Sequence, residues 1–136
     1  MRVKDAMSPI SAIVGPQHTL QQAAKRMVAN KTGAAVVLDG TLQGPAVVTE
    51  RDLLRAVAAG LDPAGVFVED HMTGEVVAAA PDWPIGDAAM VMVKHGVRHV
   101  LVFEGSELVG ILSMRDVVRV GGFAEAPRAT AGTATA

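Results

Sequence analysis

The sequence predicts an α/β (α+β) fold made of two tandem β-α-β-β-α repeats, and the first observation behind this is an internal match. Displaced by 65 residues, the chain aligns with itself, and the offset becomes 64 after one residue is lost in a turn. The pairs in register include Val3 with Val68, Asp5 with Asp70, Met7 with Met72, Pro16 with Pro81, Met27 with Met92, and Arg51-Asp52 with Arg115-Asp116. A register held over so long a stretch indicates a duplication.

The second observation is that each copy shows the same succession of periodicities. In the first copy, Leu20, Ala23, Ala24, Met27 and Val28 have the spacing of one apolar helical stripe, and Thr19 with Gln22 forms a capping box before it. In the second copy, Pro84 opens the corresponding helix. We predict strands at 11–14, 34–38, 45–49, 76–79, 99–103 and 108–113, and closing helices at 50–59 and 114–120.

These elements divide the chain into repeat 1 at 1–64, repeat 2 at 65–123 and a tail at 124–136. The tail lacks apolar periodicity and is expected to be disordered. Because one small repeat cannot bury both faces of its sheet, we expect the two copies to pack sheet to sheet with pseudo-twofold symmetry. The cleft between them would then offer two equivalent pockets.

Composition narrows the classes of function. The chain has 136 residues, a formal charge of −2, three Phe, one Trp and no Tyr, which argues against a nucleic-acid partner. It has no Cys, so disulfides, thiolate nucleophiles and Cys-ligated zinc are excluded. The N-terminal residues do not resemble a signal peptide, and no apolar run is long enough to span a membrane. We expect a cytoplasmic protein without a membrane partner.

The sharpest local motif is a strand followed by Thr/Ser-x-x-Asp and a helix. It reads Thr49-Glu50-Arg51-Asp52 in repeat 1 and Ser113-Met114-Arg115-Asp116 in repeat 2. One interpretation is a capping box, which is common before an apolar helix. The other is a nucleotide site, because a helix start attracts phosphate and a carboxylate there can accept hydrogen bonds from a ribose diol. The two interpretations are compatible.

These motifs resemble a pair of CBS domains, named after cystathionine β-synthase. The resemblance is carried by Ala-Val-Val-Thr-Glu-Arg-Asp at 46–52, Gly-Ile-Leu-Ser-Met-Arg-Asp at 110–116, Lys-Asp-Ala-Met-Ser-Pro at 4–9 and Gly-Val-Arg-His-Val-Leu-Val at 96–102. It covers residues 3 to about 122. It implies a Bateman-type regulatory module that binds AMP, ADP, ATP or S-adenosylmethionine and needs no obligatory cofactor.

The resemblance also implies site residues. In such modules the Asp holds the ribose, the adenine lies against backbone at the first strand of the opposite repeat, and residues just before the second strand reach the phosphates. By position, one nucleotide-binding site would combine Thr49, Arg51 and Asp52 with Val77, Arg98 and His99. The other would combine Ser113, Arg115 and Asp116 with Ala12, Gly33 and Ala34.

The two implied sites differ in charge. Arg98 and His99 would give the Thr49/Asp52 site cationic donors, whereas Gly33 and Ala34 offer only backbone. We therefore expect phosphate-rich ligands at the Thr49/Asp52 site. Pro45-Ala46 departs from the more usual Gly before the last strand and puts access to that site in question.

Other polar residues do not form an evident catalytic or metal site. His95 and His99 have an i, i+4 spacing, but Gly96 ends the helix between them and no carboxylate or thiol completes a ligand set. No nucleophile–base set or glycine-rich phosphate loop stands out. We therefore expect no catalysis and no bound metal, and an uncharacterised enzyme remains the alternative that nucleotide turnover would support.

The run Ala-Ala-Met-Val-Met-Val at 88–93 is apolar around the whole helix, whereas Lys25 and Arg26 interrupt the first copy. An irregular core is one explanation, and a surface between subunits is the one we favour. We therefore expect a homodimeric sensor that binds an adenine nucleotide and acts on an unidentified regulated protein. The alternative is a structural dimerisation module whose Thr/Ser-x-x-Asp boxes are caps alone.

Overall fold

A computed structural model of the chain describes residues 1–121. The predicted tail at 124–136 lies outside the described residues. In chain order the elements are α1 (Val3–Ala6), β1 (Ile13–Val14), α2 (Leu20–Ala29), β2 (Ala34–Val37), β3 (Ala46–Thr49), α3 (Glu50–Ala58), a 3₁₀ turn (Val68–Asp70), β4 (Ala78–Ala79), α4 (Ile85–His95), β5 (His99–Glu104), β6 (Glu107–Ser113) and α5 (Met114–Arg119). The predicted β-α-β-β-α order is confirmed in both copies.

The six strands form two separate three-stranded sheets of mixed direction, which makes this an α+β fold. In the first sheet β1 runs parallel to β2, and β2 runs antiparallel to β3. The second sheet repeats this arrangement with β4, β5 and β6. Strands β1 and β4 are shorter than predicted, because only two residues of each pair with the neighbouring strand.

Helix α2 begins where its sequence predicts, directly after Thr19. The Thr19 side chain accepts a hydrogen bond from the Gln22 amide at 3.1 Å, and Gln22 Oε1 accepts from the Thr19 amide at 2.8 Å. The buried stripe is narrower than expected, however. Leu20 and Met27 are buried, but Val28 is 78% exposed. In α4, Pro84 is the N-cap residue, immediately before the first helical residue.

The chain forms two compact units whose limits differ from the sequence repeats. Within the described residues, one unit consists of Met1–Ser8 together with residues 77–121, and the other is Pro9–Val76. Each unit has its own hydrophobic core, built on the buried faces of its sheet and its two longer helices. Repeat boundaries at 64/65 therefore do not describe which residues pack together.

The difference arises because the opening segment of each copy packs on the sheet of the other copy. Val3 is fully buried in the core of repeat 2, and Val68 is fully buried in the core of repeat 1. Ser8 exchanges two backbone hydrogen bonds with Ile111, both 2.9 Å, and Thr73 does the same with Val47 at 2.8 and 3.0 Å. The two copies thus exchange equivalent segments.

Polar contacts with the residues before α4 also hold α1 in its unit. The Val3 amide donates to the Trp83 carbonyl at 2.9 Å, and Lys4 Nζ lies 3.0 Å from Asp82 Oδ1. The hydrogen bond and charge of Lys4 hold the pKa of the Asp82 carboxyl below its ordinary value. Both side chains are exposed, so this ion pair contributes little to stability.

Candidate functional site

In repeat 1 the Thr49/Asp52 motif forms a complete capping box at the start of α3. Asp52 Oδ2 accepts hydrogen bonds from the Thr49 amide at 2.9 Å and the Thr49 hydroxyl at 3.1 Å. The Asp52 amide donates back to Thr49 Oγ1 at 3.3 Å. All three bonds involve Oδ2 or the backbone, so Oδ1 takes no part in the cap.

Repeat 2 builds the same box at the start of α5. Asp116 Oδ2 accepts from the Ser113 amide at 2.9 Å, and the Asp116 amide donates to Ser113 Oγ at 3.0 Å. Here the second oxygen is also engaged, because Arg119 Nη2 lies 3.2 Å from Asp116 Oδ1. The same guanidinium donates to the Ala6 carbonyl at 3.2 Å. The capping interpretation of both motifs is therefore confirmed.

Burial distinguishes these two carboxylates from the other acidic groups. Asp52 is 8% exposed and Asp116 is 9% exposed, and within residues 1–121 they are the only charged residues that are buried. An ionised carboxylate is removed from water at a cost unless hydrogen bonds replace its hydration. The capping bonds supply part of that replacement and hold each carboxylate in one orientation.

The residues before the second strand lie directly beside these boxes in their own repeat. Ala34 pairs with Thr49 across the first sheet, and the Glu50 amide donates to the Gly33 carbonyl at 2.9 Å. In repeat 2, His99 pairs with Ser113 and the Met114 amide donates to the Arg98 carbonyl at 2.8 Å. Backbone connections are therefore equivalent in the two repeats.

Ala12 and Val77, the predicted site residues of the first strands, are linked to these boxes through β2 and β5. The Ala12 carbonyl accepts from the Val36 amide at 2.9 Å, and the Val77 carbonyl accepts from the Leu101 amide at 3.0 Å. Arg51 and Arg115 are exposed on the first turns of α3 and α5.

The twelve predicted residues thus fall into two clusters, each within one unit. The repeat-1 cluster contains Ala12, Gly33, Ala34, Thr49, Arg51 and Asp52. The repeat-2 cluster contains Val77, Arg98, His99, Ser113, Arg115 and Asp116. The combination of residues from opposite repeats, as the resemblance implies, stays a prediction.

One side chain in the repeat-1 cluster was not singled out from the sequence. The Glu50 carboxylate lies over Gly33, where a Cβ on Gly33 would come within 2.9 Å of Glu50 Oε1. Glycine therefore makes room for this acid. The sequence signal for this acid was a difference in residue type between the two repeats. Gly33 aligns with Arg98, and Glu50 aligns with Met114.

Two properties of residues 1–121 bear on metal and membrane binding. Over that range, His, Asp and Glu side chains form no group of three or more suited to a metal ion. No helix over the same range has the length and apolar character needed to cross a membrane.

Comparison with known proteins identifies the family. The CBS domain profile matches residues 3–59 and 68–122. The chain is 35% identical over 117 residues to the CBS domain-containing protein YhcV of Bacillus subtilis. This alignment covers 85% of this chain and 81% of YhcV. Three other curated relatives are longer, and the chain covers 65%, 55% and 36% of them.

Solved structures of CBS proteins share the fold. CBS domain protein PAE2072 from Pyrobaculum aerophilum, complexed with AMP, matches with a TM-score of 0.76 and 31% identity, covering 100% of both chains. The CBS domain pair of protein MJ0100, in complex with 5′-methylthioadenosine and S-adenosylmethionine, matches with a TM-score of 0.78 and 26% identity, covering 92% of this chain and 98% of that one. The chain belongs to the CBS-domain family and carries a tandem pair of CBS domains.

Proposed function

We propose that this CBS pair is a regulatory sensor that binds adenosine-containing nucleotides, namely AMP, ADP, ATP or S-adenosylmethionine. The observation that carries the proposal is the pair of buried, oriented carboxylates at Asp52 and Asp116. The adenosine compounds in the PAE2072 and MJ0100 structures support the choice of ligand class. Catalysis and an obligatory cofactor form no part of this proposal.

In this proposal Asp52 and Asp116 accept hydrogen bonds from ribose hydroxyls. Their caps use Oδ2, so Oδ1 of each carboxylate is the acceptor for a diol. At Asp116 the ribose would share Oδ1 with Arg119, which keeps that oxygen oriented. For Asp52 the resemblance implies adenine at the Val77 backbone and residues 98–99 towards the 5′ substituent, and for Asp116 it implies Ala12 and residues 33–34.

A ligand panel in a thermal-shift assay tests the proposal. A ligand that binds only the native state stabilises it by about 2.7 kcal/mol at a concentration of 100 Kd. We expect AMP, ADP, ATP or S-adenosylmethionine to raise Tm, and adenine without ribose to raise it far less. No shift with any adenosine compound, together with no heat of binding in calorimetry, would contradict the proposal.

We also propose that the functional form is a homodimer that pairs through helices. In the unit from Val77 onward, Met90 and Val93 on α4 are each 66% exposed, and Val118 on α5 is 54% exposed. In the other unit Val28 and Leu54 occupy the positions equivalent to Val93 and Val118, and they are 78% and 68% exposed. Apolar side chains grouped on a surface typically mark an interface, and a second copy supplies the matching apolar face.

Sedimentation velocity tests the dimer. We expect Val93→Glu to convert a dimer to a monomer, because it places a charge in the buried contact. The control is Lys94→Glu, which changes an exposed neighbour on α4 that is already polar. A monomeric wild-type chain, or a Val93→Glu variant as dimeric as the wild type, would contradict this proposal.

A purely structural dimerisation module is the second candidate function, and the confirmed caps favour it as much as they favour the sensor. The two differ in ligand response, since only the sensor gains stability from nucleotide. In the sensor, nucleotide changes the chain's affinity for a regulated protein partner only as far as it binds two conformations differently. We place this sensor in the cytoplasm, as the sequence led us to expect.

A further inference from the structure

Arg119 joins two parts of its unit that lie far apart in the sequence. Its Nη2 group lies 3.2 Å from Asp116 Oδ1, one turn earlier in α5, and donates to the Ala6 carbonyl at 3.2 Å. Ala6 is the last residue of α1, and it is buried together with Val3 in the core of repeat 2. One guanidinium therefore bridges the candidate ribose acceptor and the opening segment of the chain.

The bridge supplies α1 with an anchor at its C-terminal end. The first turn of α1 is held by backbone bonds from the Val3 amide to the Trp83 carbonyl and from the Lys4 amide to the Pro81 carbonyl. The last carbonyls of a helix have no partner within the helix, and a basic side chain can satisfy them. Arg119 does so here, and its other contact is the buried aspartate.

Repeat 1 has the same arginine without the same contact. Arg55 aligns with Arg119, three residues after its own aspartate, and it is exposed on α3. Within residues 1–121 it forms no ion pair with Asp52. Over the described part of the chain, the bridge from aspartate to opening segment is therefore a feature of repeat 2.

We propose that Arg119 is a positioning residue that couples a ligand at Asp116 to the docking of α1 on its unit. This inference rests on the proposed binding of ribose at Asp116. A carboxylate oxygen accepts more than one hydrogen bond, so a ribose hydroxyl and Arg119 can share Oδ1. A ligand that fixes the carboxylate also fixes the guanidinium, and through it the Ala6 carbonyl. A ligand at Asp52 has no such link and leaves the docking of α1 unchanged.

Coupling of this kind acts in both directions. If a ligand at Asp116 favours docked α1 by some factor, docked α1 raises the affinity for that ligand by the same factor. The Arg119 side chain is 58% exposed, and water screens exposed ion pairs. We therefore expect a modest factor, on the order of fivefold.

Calorimetry on the full chain tests the effect on binding, with AMP and S-adenosylmethionine as probes because both carry the same ribose. In the Asp52→Asn background, which leaves Asp116 as the ribose acceptor, we expect Arg119→Gln to lower affinity about fivefold. Arg55→Gln is the matched control, because it removes the equivalent exposed arginine and should leave that affinity within about twofold. In the Asp116→Asn background, Arg119→Gln should likewise have no larger effect than this control.

Hydrogen exchange in α1 tests the coupling itself, which a merely structural role of Arg119 would not reproduce. With saturating ligand, we expect the Lys4 and Met7 amides to exchange about fivefold more slowly in the Asp52→Asn variant and at an unchanged rate in the Asp116→Asn variant. Adding Arg119→Gln to Asp52→Asn should abolish this slowing, even when the ligand concentration is raised until the Asp116 site is saturated.

The outcomes separate this inference from the proposed function. Equal affinities in Arg119→Gln and Arg55→Gln, or exchange in α1 that the ligand leaves unchanged or accelerates, overturn the role of Arg119 and leave nucleotide binding in place. An Asp52→Asn variant that binds neither probe, although the wild type does, also overturns it, because Asp116 is then not a ligand site. Absence of binding by the wild-type chain to every adenosine compound overturns both proposals.

Discussion

At the scale of single residues, Asp52 and Asp116 each cap a helix through Oδ2, and we propose that each also accepts a ribose hydroxyl. Oδ2 of Asp52 accepts the hydrogen bonds of the cap, and Oδ1 stays outside them. A buried carboxylate fixed in this way needs little reorganisation before it accepts a ribose diol. The two copies differ at Arg119, which forms an ion pair with Asp116. Within residues 1–121, Arg55 forms no corresponding ion pair with Asp52.

Removing the cap hydroxyl tests the structural half of this dual role. We expect Thr49→Ala and Ser113→Ala each to lower the free energy of unfolding by about 1 kcal/mol, because each leaves one helix amide without its side-chain acceptor. Urea denaturation measures the change. Thr41→Ala is the control, since Thr41 lies in an exposed turn outside the helices. Unchanged stability in both cap variants would contradict the capping geometry.

A second residue-scale prediction concerns backbone strain after α2. Lys31 has φ +54°, and the equivalent residue in repeat 2 is Gly96 at φ +65°. A Cβ disfavours this left-handed conformation, whereas glycine adopts it freely. We expect Lys31→Gly to be about 1 kcal/mol more stable than Lys31→Ala, a comparison in which both variants lose the lysine side chain. Equal stability of the two variants in urea denaturation would show that the position is unstrained.

At the scale of elements, the sequence predicted those features that depend on interactions between neighbouring residues. The sequence displays the Thr19/Gln22 cap and both Thr/Ser-x-x-Asp boxes directly, because each is a contact between residues three positions apart. It also displays the start of α4 at Pro84, because proline favours the beginning of a helix. The repeated order of elements predicted the strands but not the way in which they pair. The narrower stripe of α2 did not follow, because exposure of Val28 depends on what the rest of the fold leaves uncovered.

The contact between β6 and the segment after α1 gives an element-scale prediction. A Cβ on Gly110 would lie 2.9 Å from Met7 Sδ and 3.0 Å from the Ser8 carbonyl oxygen. The backbone oxygen cannot move without disturbing the Ser8–Ile111 pairing, so we expect Gly110→Ala to cost about 1–3 kcal/mol. Gly40→Ala, where nothing lies within 4 Å, is the control. Equal urea midpoints for both variants would contradict this packing.

At the scale of the whole molecule, the exchange of opening segments could not be read from the sequence. The repeat register assigns Val3 to copy 1 and Val68 to copy 2, whereas each side chain is buried in the core of the other copy. Periodicity reports local structure and carries no information about which of two similar sheets receives a segment.

Hydrogen exchange tests the segment exchange. Val3→Ala removes a fully buried side chain at a cost of about 2 kcal/mol, and we expect faster exchange in β5 and β6 of repeat 2. Val68→Ala is the reciprocal variant and should accelerate exchange in β2 and β3 of repeat 1 instead. Faster exchange confined to the copy that contains the substitution in its sequence would contradict the unit boundaries.

Titration calorimetry of the wild-type chain against its Asp52→Asn/Asp116→Asn double variant tests the central claim most directly. Asparagine retains the carbonyl that caps each helix but loses the charge that a ribose diol favours, so the variant should still fold, as circular dichroism will verify. The account predicts that the wild type binds an adenosine nucleotide and that the folded double variant binds it at least about tenfold more weakly. Equal affinity of the two proteins would contradict it.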